Sequence, residues 1–213
     1  MPEAVPAPPT GLPAAALPSD PPRRTTGTRV RSGNAMSRTR RAVLDAAAHC
    51  VERYGVRRTT MGDIALKAAV AKGTLYNHFR TKDDVLTALV QAAVDDLRET
   101  CLDAVRQAAG DDGLEAALRA AAAQLAASGP LRRVAADDPG LAARLAAPGD
   151  GRTGAAARDA VRAVLGAAGA DDGDDAVELV LRWLVSQMLW PAQPHAAGGA
   201  ARLAAAVARP AGA

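Results

Sequence analysis

Between Thr60 and Lys82 the sequence TMGDIALKAAVAKGTLYNHFRTK places two short helical patterns either side of a three-residue interruption, and few folds accommodate that punctuation. Thr60 has Asp63 three positions on, the S/T-x-x-D/E pattern that caps a helix amino terminus. Met61, Ile64, Ala65 and Ala68 then fall at i, i+3, i+4 and i+7, the apolar stripe of a short helix. Val70 lies in the turn. A second helix is predicted from Lys72 to about Phe79, burying Leu75 and Phe79. Thr81 with Asp84 repeats the capping signal and opens a long helix that carries Leu86, Leu89, Ala93 and Leu97.

A helix is also predicted upstream, from about Ser37 to Tyr54, with Val43, Ala47, Val51 and Tyr54 on one face. Gly55 ends it, where a left-handed backbone suits glycine. Residues 1–35 hold eight of the fourteen prolines and are rich in alanine and arginine. Such a segment buries too little apolar surface to offset its ordering entropy, so a disordered arm is expected. Arg23, Arg24, Arg29, Arg31, Arg38, Arg40 and Arg41 cluster loosely before the first helix, where they can add salt-dependent phosphate contacts.

Alanine supplies much of the 49% apolar share, and aromatic residues are only 2%. Alanine has the best intrinsic helix propensity, so an all-α protein is expected. Breaks at Gly110 to Gly113, Gly129-Pro130, Asp137 to Gly140, Pro148 to Gly151 and Gly169 to Gly173 divide the rest into helix-length segments. Ala157, Val161, Val164, Leu165 and Ala168 form one stripe. Between 174 and 190, Val177, Val180, Leu181, Leu184 and Met188 share one face, and Leu179, Trp183 and Trp190 another. A helix apolar on two faces is covered on both, so a homodimer is expected. Trp183, Ser186, Gln187 and Trp190 lie where an effector pocket or the dimer seam is expected.

Charge separates the chain into two parts. Residues 1–90 hold 14 Lys+Arg against 7 Asp+Glu, and residues 91–213 hold 12 against 16. A basic first part points to a polyanion partner for that part alone. Cys50 and Cys101 stand apart from one another and from clustered histidines, so neither a disulfide framework nor a zinc site is indicated. No apolar run approaches a membrane span and no signal-peptide pattern opens the chain, so a cytoplasmic location is expected. His49, His78 and His195 fall in three predicted elements without a catalytic or metal-binding pattern. Acidic pairs such as Asp111-Asp112, Asp137-Asp138 and Asp171-Asp172 read as solvated turns. No enzyme and no cofactor is expected.

The 100° period of the helix from Lys72 leaves Lys72, Gly73, Tyr76 and Asn77 facing out, with Thr74 and His78 to one side. This is the layout of a helix-turn-helix whose second helix enters a DNA groove. Lys72 and Asn77 can hydrogen-bond base edges, and Thr74 can touch a thymine methyl or a phosphate. Tyr76, His78 and Lys82 can donate to phosphate oxygens. Gly73 allows close approach of the backbone, and the helix that begins after Thr60 presents N–H groups to another phosphate.

These residues resemble the amino-terminal DNA-binding domain of TetR/AcrR family transcriptional regulators over about residues 37–90, most closely in TTMGDIA and KGTLYNHFRTKDDVL. The resemblance implies operator contacts at Thr60, Lys72, Thr74, Tyr76, His78 and Lys82. It also implies an amino-terminal three-helix helix-turn-helix domain at 36–82 and a larger helical effector-binding and dimerisation domain at 83–213. VELVLRWLVSQMLWP resembles the penultimate helix of many members, half of a four-helix dimer interface. The implied function is a homodimeric repressor released from a palindromic double-stranded operator by a small, largely apolar effector. The alternative is a DNA-binding regulator without such an effector, partnered by a protein or constitutive. Two positions depart from the family pattern: Ala69 stands where glycine is usual, and Ala71 where serine or threonine caps the next helix.

Overall fold

The computed structural model describes residues 27–108, 112–138, 140, 151–190 and 198–208, and the chain separates into two compact units, 1–36 and 37–213. Among the described residues there is no strand. The first four helices are α1 (Gly27–Tyr54), α2 (Met61–Lys67), α3 (Lys72–His78) and α4 (Lys82–Gln107). Beyond them lie α5 (Gly113–Ala127), α6 (Gly129–Asp137), α7 (Arg152–Ala167), α8 (Asp174–Leu189) and α9 (Gly199–Ala206). None of these helices is long and apolar enough to cross a membrane.

α1 starts at Gly27, ten residues before the predicted start at Ser37, so the expected disordered arm of residues 1–35 is helical from 27 onward. The reason is local: no proline falls between Pro22 and Pro130, and nothing in that interval forbids a helical backbone. Residues 1–26 lie outside the described residues, as does His195. At its other end α1 stops where predicted, at Gly55 with φ +81°. Tyr54 is a correction. The periodicity puts it on one face with Val43, Ala47 and Val51, but it is 45% exposed and carries the Arg53 guanidinium 5.9 Å from its ring centre. The stripe outlasts the core, because the chain turns away at Gly55 and brings no neighbour over the ring.

One core belongs to the first helices. Val43, Ala47 and Cys50 of α1 pack with Ile64 and Ala65 of α2, Leu75 of α3 and Phe79. Val85 and Leu89 of α4 are part of the same cluster, so this core continues past residue 82, where the predicted domain ends. Further along, Val90 of α4 joins Leu114, Leu118, Val161, Leu165, Val177, Val180 and Leu181 in a larger core. α4 is therefore a single helix of 26 residues shared by both cores. The predicted stripes of α7 and α8 are the ones buried: Val161, Val164 and Leu165 on the first, Val177, Val180, Leu181 and Met188 on the second.

α6 lies against the end of α1. A Cβ on Gly129, the first residue of α6, would collide with the Glu52 side chain. At the far end of α6, Asp137 accepts the Val56 N–H at 2.8 Å and the Arg133 Nε–H at 3.1 Å. Asp137 is thus not the solvated turn residue expected from its Asp-Asp pair. The Val56 N–H holds its carboxyl below the usual carboxylate range, with Arg133 adding to the effect against partial burial. Asp171, of another such pair, closes a turn by accepting the Gly173 N–H at 3.0 Å, and Asp111 lies outside the described residues.

Candidate nucleic-acid interface

The tight turn between α2 and α3 is built by hydrogen bonds from Ala69 N to Leu66 O (3.2 Å) and Val70 N to Ala65 O (3.0 Å). It forces Ala69 to φ +54°, and Ala69 is the only described non-glycine residue with a positive φ. A left-handed L-residue costs about 1–2 kcal/mol, which is why glycine suits this position. Ala71 is the N-cap of α3 and has no side chain to bond the free N–H groups of the first turn. Both departures from the family pattern therefore have a structural consequence at the positions expected.

α3 is anchored from behind by Leu75 and Phe79, 0% and 3% exposed. Its other flank carries Lys72, Gly73, Thr74, Tyr76 and Asn77, all exposed, with His78 half-buried beside Phe79. Nothing lies within 4 Å of where Gly73 would carry a Cβ, and its φ is ordinary. Neither packing nor backbone conformation inside the protein requires glycine there.

Lys72 also reaches the start of α2: a Cβ on Gly62 would stand 3.7 Å from Lys72 Cε and 3.8 Å from Nζ, with Thr60 Oγ1 at 3.6 Å. Thr60 and Lys72 thus belong to one surface. Thr60 is exposed, but its first task is the capping box. Its Oγ1 donates to Asp63 Oδ2 at 2.7 Å and accepts the Asp63 N–H at 3.2 Å, while its own N–H goes to Asp63 Oδ2 at 3.0 Å. Those bonds from Thr60 hold the Asp63 carboxyl below its usual range. The Thr60 and Asp63 N–H groups are therefore used within the capping box.

Lys82 is likewise committed within the fold, since Nζ donates to the Val56 carbonyl at 3.0 Å. Two contacts were missed in the sequence. The Arg40 guanidinium lies 4.5 Å from the centre of the Phe79 ring, on a residue read only as part of a loose basic cluster. The Val56 peptide, bonded on one side by Asp137 and on the other by Lys82, carried no sequence signal, because a peptide group has no side-chain signature.

A cavity of about 100 Å³ lies within the helices of the second core, with walls from α4, α5, α6, α7 and α8. From α8 the lining residues are Val180, Leu181, Leu184, Val185 and Met188. Trp183, Ser186, Gln187 and Trp190, expected at an effector pocket or the dimer seam, are not among them. The 100° period sends them to other sides of α8. Trp183 Nε1 stands 3.5 Å from where Gly199 of α9 would carry a Cβ. Gln187 is buried and donates to Ser186 Oγ at 3.2 Å, and Ser186 donates to the Trp183 carbonyl at 2.6 Å. Trp190 is 73% exposed and Leu179 45% exposed. Cys101 also lines the cavity, and burial pushes its thiol up to about 11.

The geometry of α2 and α3 coincides with a match to the family model of bacterial regulatory proteins of the tetR family over residues 43–89. Residues 43–89 carry the amino-terminal domain of the TetR family. Among curated relatives, the chain is 38% identical over 77 residues to the HTH-type transcriptional regulator TtgR of Pseudomonas putida, covering 36% of this chain and 35% of that one. It is 38% identical over 66 residues to the HTH-type transcriptional repressor KstR2 of Rhodococcus jostii, covering 31% of each. The aligned part thus spans about a third of the curated relatives' length. Beyond it the likeness is one of fold. The TetR-family repressor AlkX of Dietzia matches with TM-score 0.61 at 19% identity over 78% of this chain and 94% of that one. FadR of Bacillus subtilis, solved with stearoyl-CoA, matches with TM-score 0.56 at 17% identity over 76% and 96%.

Proposed function

We propose that this TetR-family chain is a cytoplasmic, homodimeric transcriptional repressor that reads a palindromic operator through two copies of α3. The observation that carries this reading is the exposed flank Lys72, Gly73, Thr74, Tyr76 and Asn77 on a helix whose back is fixed by Leu75 and Phe79. Lys72 and Asn77 read base edges, Gly73 admits the duplex, and Thr74, Tyr76 and His78 position it on phosphates. Lys82 adds a positive charge beside the same surface while holding Val56, and Thr60 contributes through its exposed side chain. The symmetric dimer sets the two recognition helices about 34–36 Å apart, or at a related spacing, to match the half-sites. Leu179 and Trp190, the exposed apolar residues of the α8 segment, belong to the dimer seam.

A small, largely apolar effector occupies the cavity and releases the operator. Two connections lead from it to the DNA-binding helices. α4 runs from the Lys82 end of the first core to the cavity wall at Val90 and Leu97. α6 lines the cavity with Leu131 and holds the Val56 N–H with Asp137. An effector that prefers one arrangement of these helices shifts the spacing of the recognition helices, with a coupling of about 1–3 kcal/mol.

Selection of bound duplexes from a random pool, followed by a screen for compounds that release the selected DNA, tests both parts. Recovery of a palindrome and at least one releasing compound is expected. A pool that stays random refutes the regulator, and a palindrome that no compound releases favours a regulator without a small-molecule effector.

A further inference from the structure

Among the described residues that line the cavity, Arg98 is the only one that carries a charge. It interrupts the apolar side of α4, four residues after Val94 and three before Cys101, both of which also face the cavity. Among the described residues, none forms an ion pair or hydrogen bond with the Arg98 side chain. Asp95, the carboxylate one turn back, is instead bonded to Gln91 Nε2 at 3.3 Å. A half-buried guanidinium on an apolar wall loses hydration and gains no partner in exchange. Guanidinium is also the cation best shaped to receive a carboxylate through two parallel N–H bonds.

We propose that the effector is a monocarboxylate with a compact alkyl or aryl body, the body filling the apolar cavity and the carboxylate pairing with Arg98. This rests on the effector reading above and names the chemistry of that ligand. An engineered apolar cavity of roughly 150 Å³ stays dry and takes benzene, so a cavity of this size matches a ring or a short chain and not a long polar molecule. Cys101, with its thiol protonated at neutral pH, adds no negative charge to oppose the carboxylate.

Calorimetric titration of the full chain with benzoate, benzyl alcohol and benzylammonium separates the head group from the body. Wild type is expected to bind benzoate about tenfold or more tightly than benzyl alcohol, as for a hydrogen-bonded charge pair, and benzylammonium most weakly. Arg98→Gln removes the benzoate preference and leaves benzyl alcohol affinity within about twofold, while Arg98→Lys retains part of the preference. Binding of benzyl alcohol as tight as benzoate by wild type overturns the carboxylate and leaves the apolar-effector reading standing; this arm needs no variant to fold. A benzoate preference that survives in Arg98→Gln assigns the carboxylate elsewhere and overturns the role of Arg98. Failure of all three ligands to bind overturns both readings.

Discussion

Asp137 accepts the Val56 N–H at 2.8 Å, joining residues 81 positions apart in sequence and tying the end of α6 to the segment between α1 and α2. Lys82 holds the carbonyl of the same residue at 3.0 Å. A helix of the larger core and the first residue of α4 are therefore both bonded to Val56, next to the recognition unit.

Asp137→Asn weakens that tie. A net loss of about 1 kcal/mol is expected at neutral pH, typical of one hydrogen bond. The sign of the pH dependence follows from the lowered pKa of Asp137. A carboxyl whose folded pKa lies below its unfolded value contributes fully above the unfolded value, about 3.9, and its contribution fades as pH falls through the folded one. Thermal melts should show wild type and variant apart at pH 7 and converging in acid; a constant gap would assign the effect to packing instead.

Gly73→Ala separates stability from recognition. Alanine in place of glycine favours a helix by about 1 kcal/mol, and open space surrounds the position. The variant is expected to melt higher than wild type and to bind DNA more weakly, because its methyl group meets the duplex. Unchanged DNA affinity would remove the close backbone approach from the account.

The turn between α2 and α3 offers two stabilising substitutions. Ala71→Ser supplies the missing cap and is expected to add about 0.5–2 kcal/mol. Ala69→Gly relieves the φ of +54°. Its gain is smaller, about 1 kcal/mol at most, since glycine also loses more freedom on folding. Denaturant midpoints measure both, and a fall in either would contradict the cap or the strain at that residue.

Both cysteines should resist alkylation in the folded protein. Cys50 and Cys101 are buried and unbridged, and burial raises both thiols, that of Cys101 to about 11. Iodoacetamide at pH 8 is expected to modify neither within minutes, and both after denaturation. Rapid modification of native Cys101 would show that the cavity opens widely without an effector.

The helices of the first core were legible because each has local punctuation: Thr60 with Asp63, Gly55 after Tyr54, Thr81 with Asp84. Leu75 and Phe79 followed from a period of 3.6. What escaped were relationships between distant segments. Nothing in the sequence announces that Asp137 meets Val56, or that Arg40 lies over Phe79, because each partner has an ordinary solvated alternative. The cavity was hidden for a similar reason, as Leu, Val and Ala line a void as readily as they fill a core. Arg98 was the one available sign, a charge on the apolar side of α4. The start of α1 was misplaced because composition marked the arm as a block, whereas its last proline is Pro22.

The most direct measurement is a titration of the selected operator and of a scrambled duplex with wild type, Lys72→Ala and Lys82→Ala at fixed salt. Lys72→Ala should lose about 1–3 kcal/mol on the operator and much less on the scrambled duplex, the behaviour of a base reader. Lys82→Ala should weaken both alike and lower the melting temperature, since its bond to Val56 goes as well. Equal losses on the two duplexes for Lys72→Ala would contradict the assignment of α3 as the helix that reads DNA sequence.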